Sequence, residues 1–112
     1  MAKGKIVAWY QGRNEFGPRA LGNRSILADP RDPKSAIKLN NSIKNRESFM
    51  PFAPSVLMEN STDYFESFGT ESPYMILSFN VRKEKRNIIP AILSIDGTAR
   101  IQTVNKNDNH KY

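Results

Sequence analysis

The stretch GRNEFGPRALGNRSILADPR, residues 12–31, carries the densest chemical information in the chain. Its first part, residues 12–25, contains three arginines and three glycines. An arginine guanidinium presents a planar fork of donors that matches the paired oxygens of phosphate or carboxylate, and glycine lets the backbone approach a ligand closely. These residues therefore favour an oxyanion-binding loop. The alternative is a glycine–proline turn with solvated arginines, in which Glu15 pairs with one of them.

Short elements are predicted on both sides of this stretch. Runs rich in β-branched and aromatic residues predict four strands, at residues 5–10, 25–28, 52–58 and 74–81. Proline suits a first helical position, so one helical turn is predicted at residues 18–21. Ala36, Leu39 and Ile43 recur at the spacing of one helix face, which predicts a helix over residues 33–44.

The second half of the chain continues this alternation of elements. Ser61 is predicted to cap a short helix at residues 63–65. The segments 91–95 and 99–104 flank Asp96-Gly97-Thr98, which is typical of a β-hairpin. The polar end, residues 105–112, is expected to fray. Interleaved strands and helices favour the α/β (α+β) class, with a mixed sheet and helices packed on it.

The charge of the chain is concentrated in its first half. The 112 residues, enough for one small domain or part of a larger one, carry a net charge of +6. Residues 1–50 carry ten basic against four acidic side chains, whereas residues 51–112 carry seven of each. This basic half suggests an anionic partner, which is nucleic acid, nucleotide or a small phosphate.

Several classes of site are disfavoured by composition. Cysteine is absent, and the single histidine, His110, lies in the polar tail, so thiolate chemistry, a serine–histidine triad and a histidine metal site are not expected. No window is as long and apolar as a membrane span, and the first ten residues lack the apolar core of a secretory signal. A cytoplasmic location is the expectation.

Two further segments carry candidate ligand-binding residues. Lys44 ends the predicted helix and is followed by the rigid Pro51-to-Pro54 run, so this segment is either part of an anion site or a helix end that runs into an edge strand. Thr98, Arg100 and Gln102 alternate along a predicted strand and share one face. That face is either a ligand floor or a solvated outer surface.

Three blocks of sequence, taken together and in order, resemble a known family. They are GRNEFGPRALGNRSILADPR (12–31), the IKNRESFMPFAPS run within residues 41–55, and DGTARIQTV (96–104). They resemble the C-terminal domain of the NodU/CmcH/TobZ family of carbamoyltransferases, and the segment SPYM (72–75) is similar as well. The resemblance covers residues 5–104, and its first block is highly specific.

This resemblance implies a two-domain enzyme. Its larger N-terminal domain is Kae1-like, binds a metal ion and performs the final transfer. The C-terminal domain is implied to have a YrdC-like fold, an open twisted mixed sheet, and to convert ATP, with magnesium, and carbamoyl phosphate into carbamoyl adenylate. The carbamoyl group then passes to a hydroxyl acceptor. Residues 1–112 are expected to be a fragment of that C-terminal domain, without the N-terminal domain or the domain's own end, and to be inactive alone.

The resemblance also assigns binding residues. Arg19, Lys44 and Arg100 occupy ligand-binding positions of the family and are the first candidates. The second candidates, which either bind the ligands or orient the first group, are Arg13, Asn23, Arg24, Ser25 and Arg46. Glu15 and Glu47 are expected to pair with arginines and aim them, and no residue is assigned as the catalytic acid or base.

Two positions depart from the family pattern, and two other functions remain open. Met50 stands where the family usually has arginine, and Ser94 where it commonly has histidine, and both departures favour a weakened site. A degenerate structural domain that supports a catalytic partner is therefore one alternative. An RNA-binding module is the other, although glycine, proline and apolar residues interrupt the basic residues and stacking aromatics are not interleaved with them. No membrane partner is expected.

Overall fold

The computed structural model describes residues 1, 4–44, 47, 49–107 and 109–112. Within these residues six short strands form three two-stranded sheets, accompanied by two α-helices. The mixed α/β class predicted from the sequence is confirmed. The strands form three separate pairs, where one open sheet was expected, because each strand is only three or four residues long.

The helices and strands have these bounds in chain order: β1 Val7–Tyr10, β2 Arg24–Leu27, α1 Lys34–Leu39, β3 Ser55–Leu57, α2 Ser61–Tyr64, β4 Ser78–Asn80, β5 Thr98–Arg100 and β6 Gln102–Val104. A π-helical segment at Asn40–Lys44 continues α1. Three 3₁₀ turns complete the described elements, at Met58–Asn60, Lys83–Lys85 and Pro90–Ile92. No helix among the described residues is long and apolar enough to cross a membrane.

The first sheet frames the arginine-rich segment. β1 and β2 pair antiparallel, with Trp9 opposite Ser25 and Tyr10 opposite Arg24. Residues 12–23, which we call the arginine loop, therefore connect two neighbouring strands. The helical turn predicted at residues 18–21 is wrong, because the chain bends at residues 18 and 19 and has no regular structure at residues 20 and 21.

A helix is present where it was predicted, within residues 33–44, but only its first part is α-helical. α1 ends at Leu39, which is buried, and the chain widens into the π-helical segment. A wider turn changes the direction in which the following side chains point. Ile43, predicted on the buried face, is consequently 49% exposed.

The hairpin predicted around Asp96-Gly97-Thr98 is wrong, although the turn itself is present. The Asp96 carboxylate accepts hydrogen bonds from the backbone N–H and the hydroxyl of Thr98, at 2.9 and 2.8 Å. Residues 90–92 form a 3₁₀ turn that begins with Pro90, which has no N–H to donate to a strand ladder. β5 therefore pairs antiparallel with β4, and β6 pairs parallel with β3.

The two remaining predicted strands are present but shorter, and the predicted short helix begins two residues earlier than expected. The strand predicted at 52–58 is confined to β3, and the one at 74–81 to β4. Met75 has a φ of +55°, outside the range of extended strands, which explains why β4 begins only at Ser78. Ser61 begins α2 as its first residue and does not cap it.

The apolar core lies in the second half of the chain. Its buried members come from α2's end, the 3₁₀ turn at 90–92 and the strands around them, and they are Phe65, Val81, Ile89, Ile92, Ala99 and Ile101. Among the described residues before Leu39, no apolar side chain is fully buried. The arginine loop is therefore held by polar contacts, whereas the framework behind it is held by apolar packing.

Candidate anion-binding site

Gln102 joins the three segments that stood out in the sequence. Its side chain is buried, and its Nε2 donates a hydrogen bond to the Leu21 carbonyl at 2.9 Å. The Ser55 hydroxyl donates to Gln102 Oε1 at 3.0 Å. Residues 12–31, 41–55 and 96–104 therefore meet at one amide, which we call the Gln102 junction.

Tyr112 closes this junction from the end of the chain. Its hydroxyl lies 2.8 Å from Ser55 Oγ, and its ring lies 6.4 Å from the Trp9 ring. The ring also covers Gly22, where an added Cβ would come within 2.6 Å of it. Burial raises the pKa of the Tyr112 hydroxyl, and the hydrogen bonds from Ser55 and Ser25 only partly offset this. Residues 105–112 were predicted to fray, but at the end of this tail Tyr112 is docked by its ring and its hydroxyl; residue 108 lies outside the described residues.

The Glu15 carboxylate organises the arginine loop from within. Its Oε1 accepts hydrogen bonds from the backbone N–H groups of Leu21, Asn23 and Arg24, at 2.8, 2.8 and 3.1 Å. Burial raises the pKa of this carboxyl, but the backbone N–H groups of these three residues, together with that of Glu15 itself, outweigh it and lower the pKa to about 2. Glu15 was expected to pair with an arginine, but among the described residues it has no arginine side chain as a partner. The hydrogen bonds to the Glu15 carboxylate also explain the missing helical turn, because these N–H groups point to the carboxylate and not along a helix axis.

Arg24 makes the complementary contacts on the other side of the loop. Its guanidinium donates to the backbone carbonyls of Gln11, Gly12 and Asn23, the last two at 3.0 Å. It also lies 3.4 Å from the ring centroid of Tyr10, the residue opposite it in the sheet, which is cation–π geometry. Its donors are thus directed at the protein's own backbone.

Ser25 and Asn23, which also belong to the second group of candidates, likewise contact the protein's own backbone. The Ser25 hydroxyl is buried and accepts a hydrogen bond from the Gly22 N–H at 2.9 Å. The Asn23 carbonyl accepts from the Gln11 N–H at 2.9 Å, which extends the strand ladder by one bond. These groups shape the loop in the structure, while their role toward a ligand stays a prediction. Arg46 lies outside the described residues.

The cations that carry no contact within the described part of the chain are a different set. Arg13, Lys44 and Arg100 are exposed, Arg19 is partly buried, and the side chain of none of the four has a hydrogen bond or ion pair there. By contrast Arg31 is held by Asp29 at 2.6 Å. Surface lysines such as Lys83 are equally free. The four differ from them because they belong to the segments that meet at the Gln102 junction.

Chain connectivity places two of these four cations near the junction. Arg19 lies two residues before Leu21, and Arg100 two residues before Gln102, so each backbone is within about 7 Å of the residue that makes the joining bond. Lys44 precedes Ser55 by eleven residues, and no such limit applies to it. The structure therefore brings the backbones of Arg19 and Arg100 into one region, and the convergence of all side chains stays a prediction.

The cavity that Met50 lines lies elsewhere and is mostly apolar. It has a volume of about 290 Å³ and lies between α1, the segment before β3 and the 3₁₀ turn at 90–92. Met50 lines it, together with Ile37, Phe49 and Ile95. Met50 thus faces an apolar groove in this structure. The described residues contain no cluster of three or more histidine or carboxylate side chains that could hold a metal ion.

Comparison with known proteins gives a consistent result over the whole chain. Residues 1–112 match the family described as Carbamoyltransferase C-terminus. The chain is 50% identical over 114 residues to Nodulation protein NolNO of Sinorhizobium fredii, and 43% identical over 111 residues to Nodulation protein U of the same species. An uncharacterized protein of Methanocaldococcus jannaschii is 52% identical over 112 residues.

These alignments cover almost all of this chain but a small part of each relative. They include 100%, 99% and 100% of the chain and 17%, 20% and 18% of the three relatives, in the order given. The chain thus spans about a fifth of the length of the relatives it matches. Because the family match extends over every residue, the chain belongs to the carbamoyltransferase C-terminus family.

Proposed function

We propose that this chain supplies the anion-binding part of an O-carbamoyltransferase, where it binds ATP and carbamoyl phosphate and takes part in forming carbamoyl adenylate. The observation that carries the proposal is the Gln102 junction, which unites three segments that each carry uncommitted or candidate cations. Membership of the carbamoyltransferase C-terminus family supports the reaction class.

The chemistry asks for several cations in one place. ATP and carbamoyl phosphate repel each other, and guanidinium groups that contact both sets of oxygens offset this repulsion and stabilise charge that develops during phosphoryl or adenylyl transfer. Atom balance for this conversion consumes one water and releases phosphate and pyrophosphate. Arg13, Arg19, Lys44 and Arg100 are assigned to this work because their donors are not used within the described residues.

The chain's own carboxylates have other roles in this proposal. Glu15 is ionised at neutral pH and its oxygen already accepts three N–H groups, so it neither donates nor accepts a proton in the reaction. The described residues contain no cluster of carboxylates that fits a magnesium ion. The cytoplasmic location stays a prediction.

The transfer step is assigned to the rest of a longer polypeptide. Relatives are about five to six times as long as this chain, which leaves room for the N-terminal domain that the resemblance implies. In this proposal the activated carbamoyl group leaves the site on this chain and reaches a hydroxyl acceptor held by that domain.

Calorimetric titration of the complete polypeptide with ATP and with carbamoyl phosphate tests the binding. A hydrogen bond to a charged group contributes about 1.5–3 kcal/mol, so Arg19→Ala is expected to weaken binding by roughly 10- to 150-fold. Arg19→Lys keeps the charge but loses the planar fork of donors, so its affinity should lie between those of the wild type and Arg19→Ala.

Lys83→Ala is the matched control, because it also removes one exposed, uncommitted positive charge but lies on the 3₁₀ turn at 83–85. It should bind both ligands as the wild type does. Equal losses in Arg19→Ala and Lys83→Ala would mean that only the general charge of the chain attracts the anions, and would overturn the assignment of the site.

A further inference from the structure

We infer that Glu15 is a positioning residue for anion binding: its carboxylate fixes the shape of the arginine loop so that Arg13 and Arg19 are held ready for phosphate oxygens. This inference rests on the proposed function and deepens it. A negative side chain at the centre of a basic anion site would otherwise be expected to repel the ligand.

The geometry shows how one carboxylate oxygen determines the course of the loop. The bonds to Leu21, Asn23 and Arg24 tie residue 15 to the far end of the loop, six to nine residues along the chain. Arg19 lies inside the segment that the Leu21 bond closes, and Arg13 lies just outside it. Three donors on one oxygen also spread its negative charge over the backbone, which reduces its effect on an incoming anion.

Apolar packing anchors only the far end of this loop, where the Tyr112 ring covers Gly22. Among the described residues of the loop the only buried one is Gly22, and Phe16 is fully exposed. The Arg24 guanidinium holds Gln11 and Gly12 at the entrance of the loop. Side chains outside the loop hold Leu21 and Gly22 at its far end. Between these ends, at residues 13–20, the only hydrogen bonds among the described residues are those of Glu15. Without the carboxylate, residues 13–20 would sample more conformations, and ordering them would oppose ligand binding.

The charge and the positioning role make opposite predictions for one substitution. Glu15→Gln removes a negative charge from the basic loop, so electrostatic repulsion alone predicts tighter anion binding. The positioning role predicts weaker binding, because an amide oxygen is a poorer acceptor for three N–H groups than a carboxylate. We expect Glu15→Gln to lose about tenfold in affinity for ATP and for carbamoyl phosphate, a typical effect of a weakened preorganised site.

The experiment measures affinity by calorimetry in the complete polypeptide, for wild type, Glu15→Gln, Glu15→Ala and Glu59→Gln. Glu59 is exposed and has no side-chain partner in the described part of the chain, so Glu59→Gln controls for the loss of one negative charge. In Glu15→Ala the three N–H groups face an empty position. Added formate should occupy it and restore much of the lost affinity, while leaving the wild type unchanged.

Each outcome has a defined meaning. Weaker binding in both Glu15 variants, with normal binding in Glu59→Gln and rescue of Glu15→Ala by formate, supports the inference. Equal or tighter binding in Glu15→Gln overturns it and leaves the proposed function intact, as does formate that raises Tm without restoring affinity. Wild-type protein that binds neither ligand refutes the proposed function, and the inference with it. If Glu15→Ala does not fold, the sign of the change in Glu15→Gln decides alone.

Discussion

Replacing Gln102 with methionine should separate the arginine loop from the framework behind it. Methionine has nearly the volume of glutamine, so the substitution removes the amide without leaving a cavity. The Leu21 carbonyl then loses its donor at a partly buried position, whereas Ser55 Oγ keeps the Tyr112 hydroxyl as a partner. One unsatisfied buried group costs about 1–3 kcal/mol, and the lost bond to Ser55 adds about 1 kcal/mol.

The two terms sum to about 2–4 kcal/mol. Because the bond to Leu21 is only partly buried, the free energy of unfolding should fall by about 2–3 kcal/mol, in the lower part of that range. For a chain of this size, each kcal/mol corresponds to about 4–8 °C, so Tm should fall by roughly 10 °C or more. Urea unfolding followed by the fluorescence of Trp9, the single tryptophan, measures this directly, because Trp9 lies against Tyr112 beside the junction.

Asn105→Ala is the control, since the Asn105 amide donates to Glu71 at an exposed position. It should change the free energy of unfolding by less than about 0.5 kcal/mol. A loss in Gln102→Met that is no larger than in Asn105→Ala would show that the Gln102 junction does not hold the three segments together.

Three further predictions concern the tail, acid stability and nucleic acid. Gly22→Ala places a Cβ 2.6 Å from the Tyr112 ring at a φ of +103°, so it should lower Tm and alter Trp9 fluorescence. Gly69→Ala is the control, because Gly69 has a φ of +76° but no atom within 4 Å of the added Cβ, so this substitution adds backbone strain alone. Equal effects of the two substitutions would exclude the ring contact. The pKa of Glu15 is lowered from 4.5 to about 2, so its contribution to stability is complete above pH 4.5 and is lost as the pH falls toward 2. Glu15→Gln should therefore make the urea midpoint depend less on pH between pH 4.5 and 2. A pH dependence equal to that of the wild type would contradict the three N–H bonds. Single-stranded RNA should bind weakly in a salt titration, and tight binding with a steep salt slope would favour the RNA-binding alternative.

The position of the functional segments could be predicted from the sequence, because local residue types determine loops and short strands. β1, β2 and α1 lie where periodicity and turn residues placed them. The pairing of β5 could not be predicted, since Asp96-Gly97-Thr98 determines a turn but not whether the preceding segment has the donors to form a ladder. Pro90 and the 3₁₀ turn after it decide that, and β4 becomes the partner.

The roles within the candidate site were less accessible to sequence reasoning. Arg13, Arg19 and Arg24 are equivalent as residue types, yet only Arg24 is committed to backbone carbonyls, because it stands opposite Tyr10 at the start of β2. The Gln102 junction depends on contacts between residues up to 81 positions apart, which no local pattern encodes. The alternation of Thr98, Arg100 and Gln102 was visible, but not that Gln102 would be the buried member.

The most direct test of the central claim is a structure of the complete polypeptide with a non-hydrolysable ATP analogue. We expect the guanidinium groups of Arg19 and Arg100 and the ammonium group of Lys44 to lie about 3 Å from phosphate oxygens, with the Gln102 junction intact behind them. Phosphates bound at another surface, with these three side chains still facing solvent, would contradict the anion site proposed for this chain.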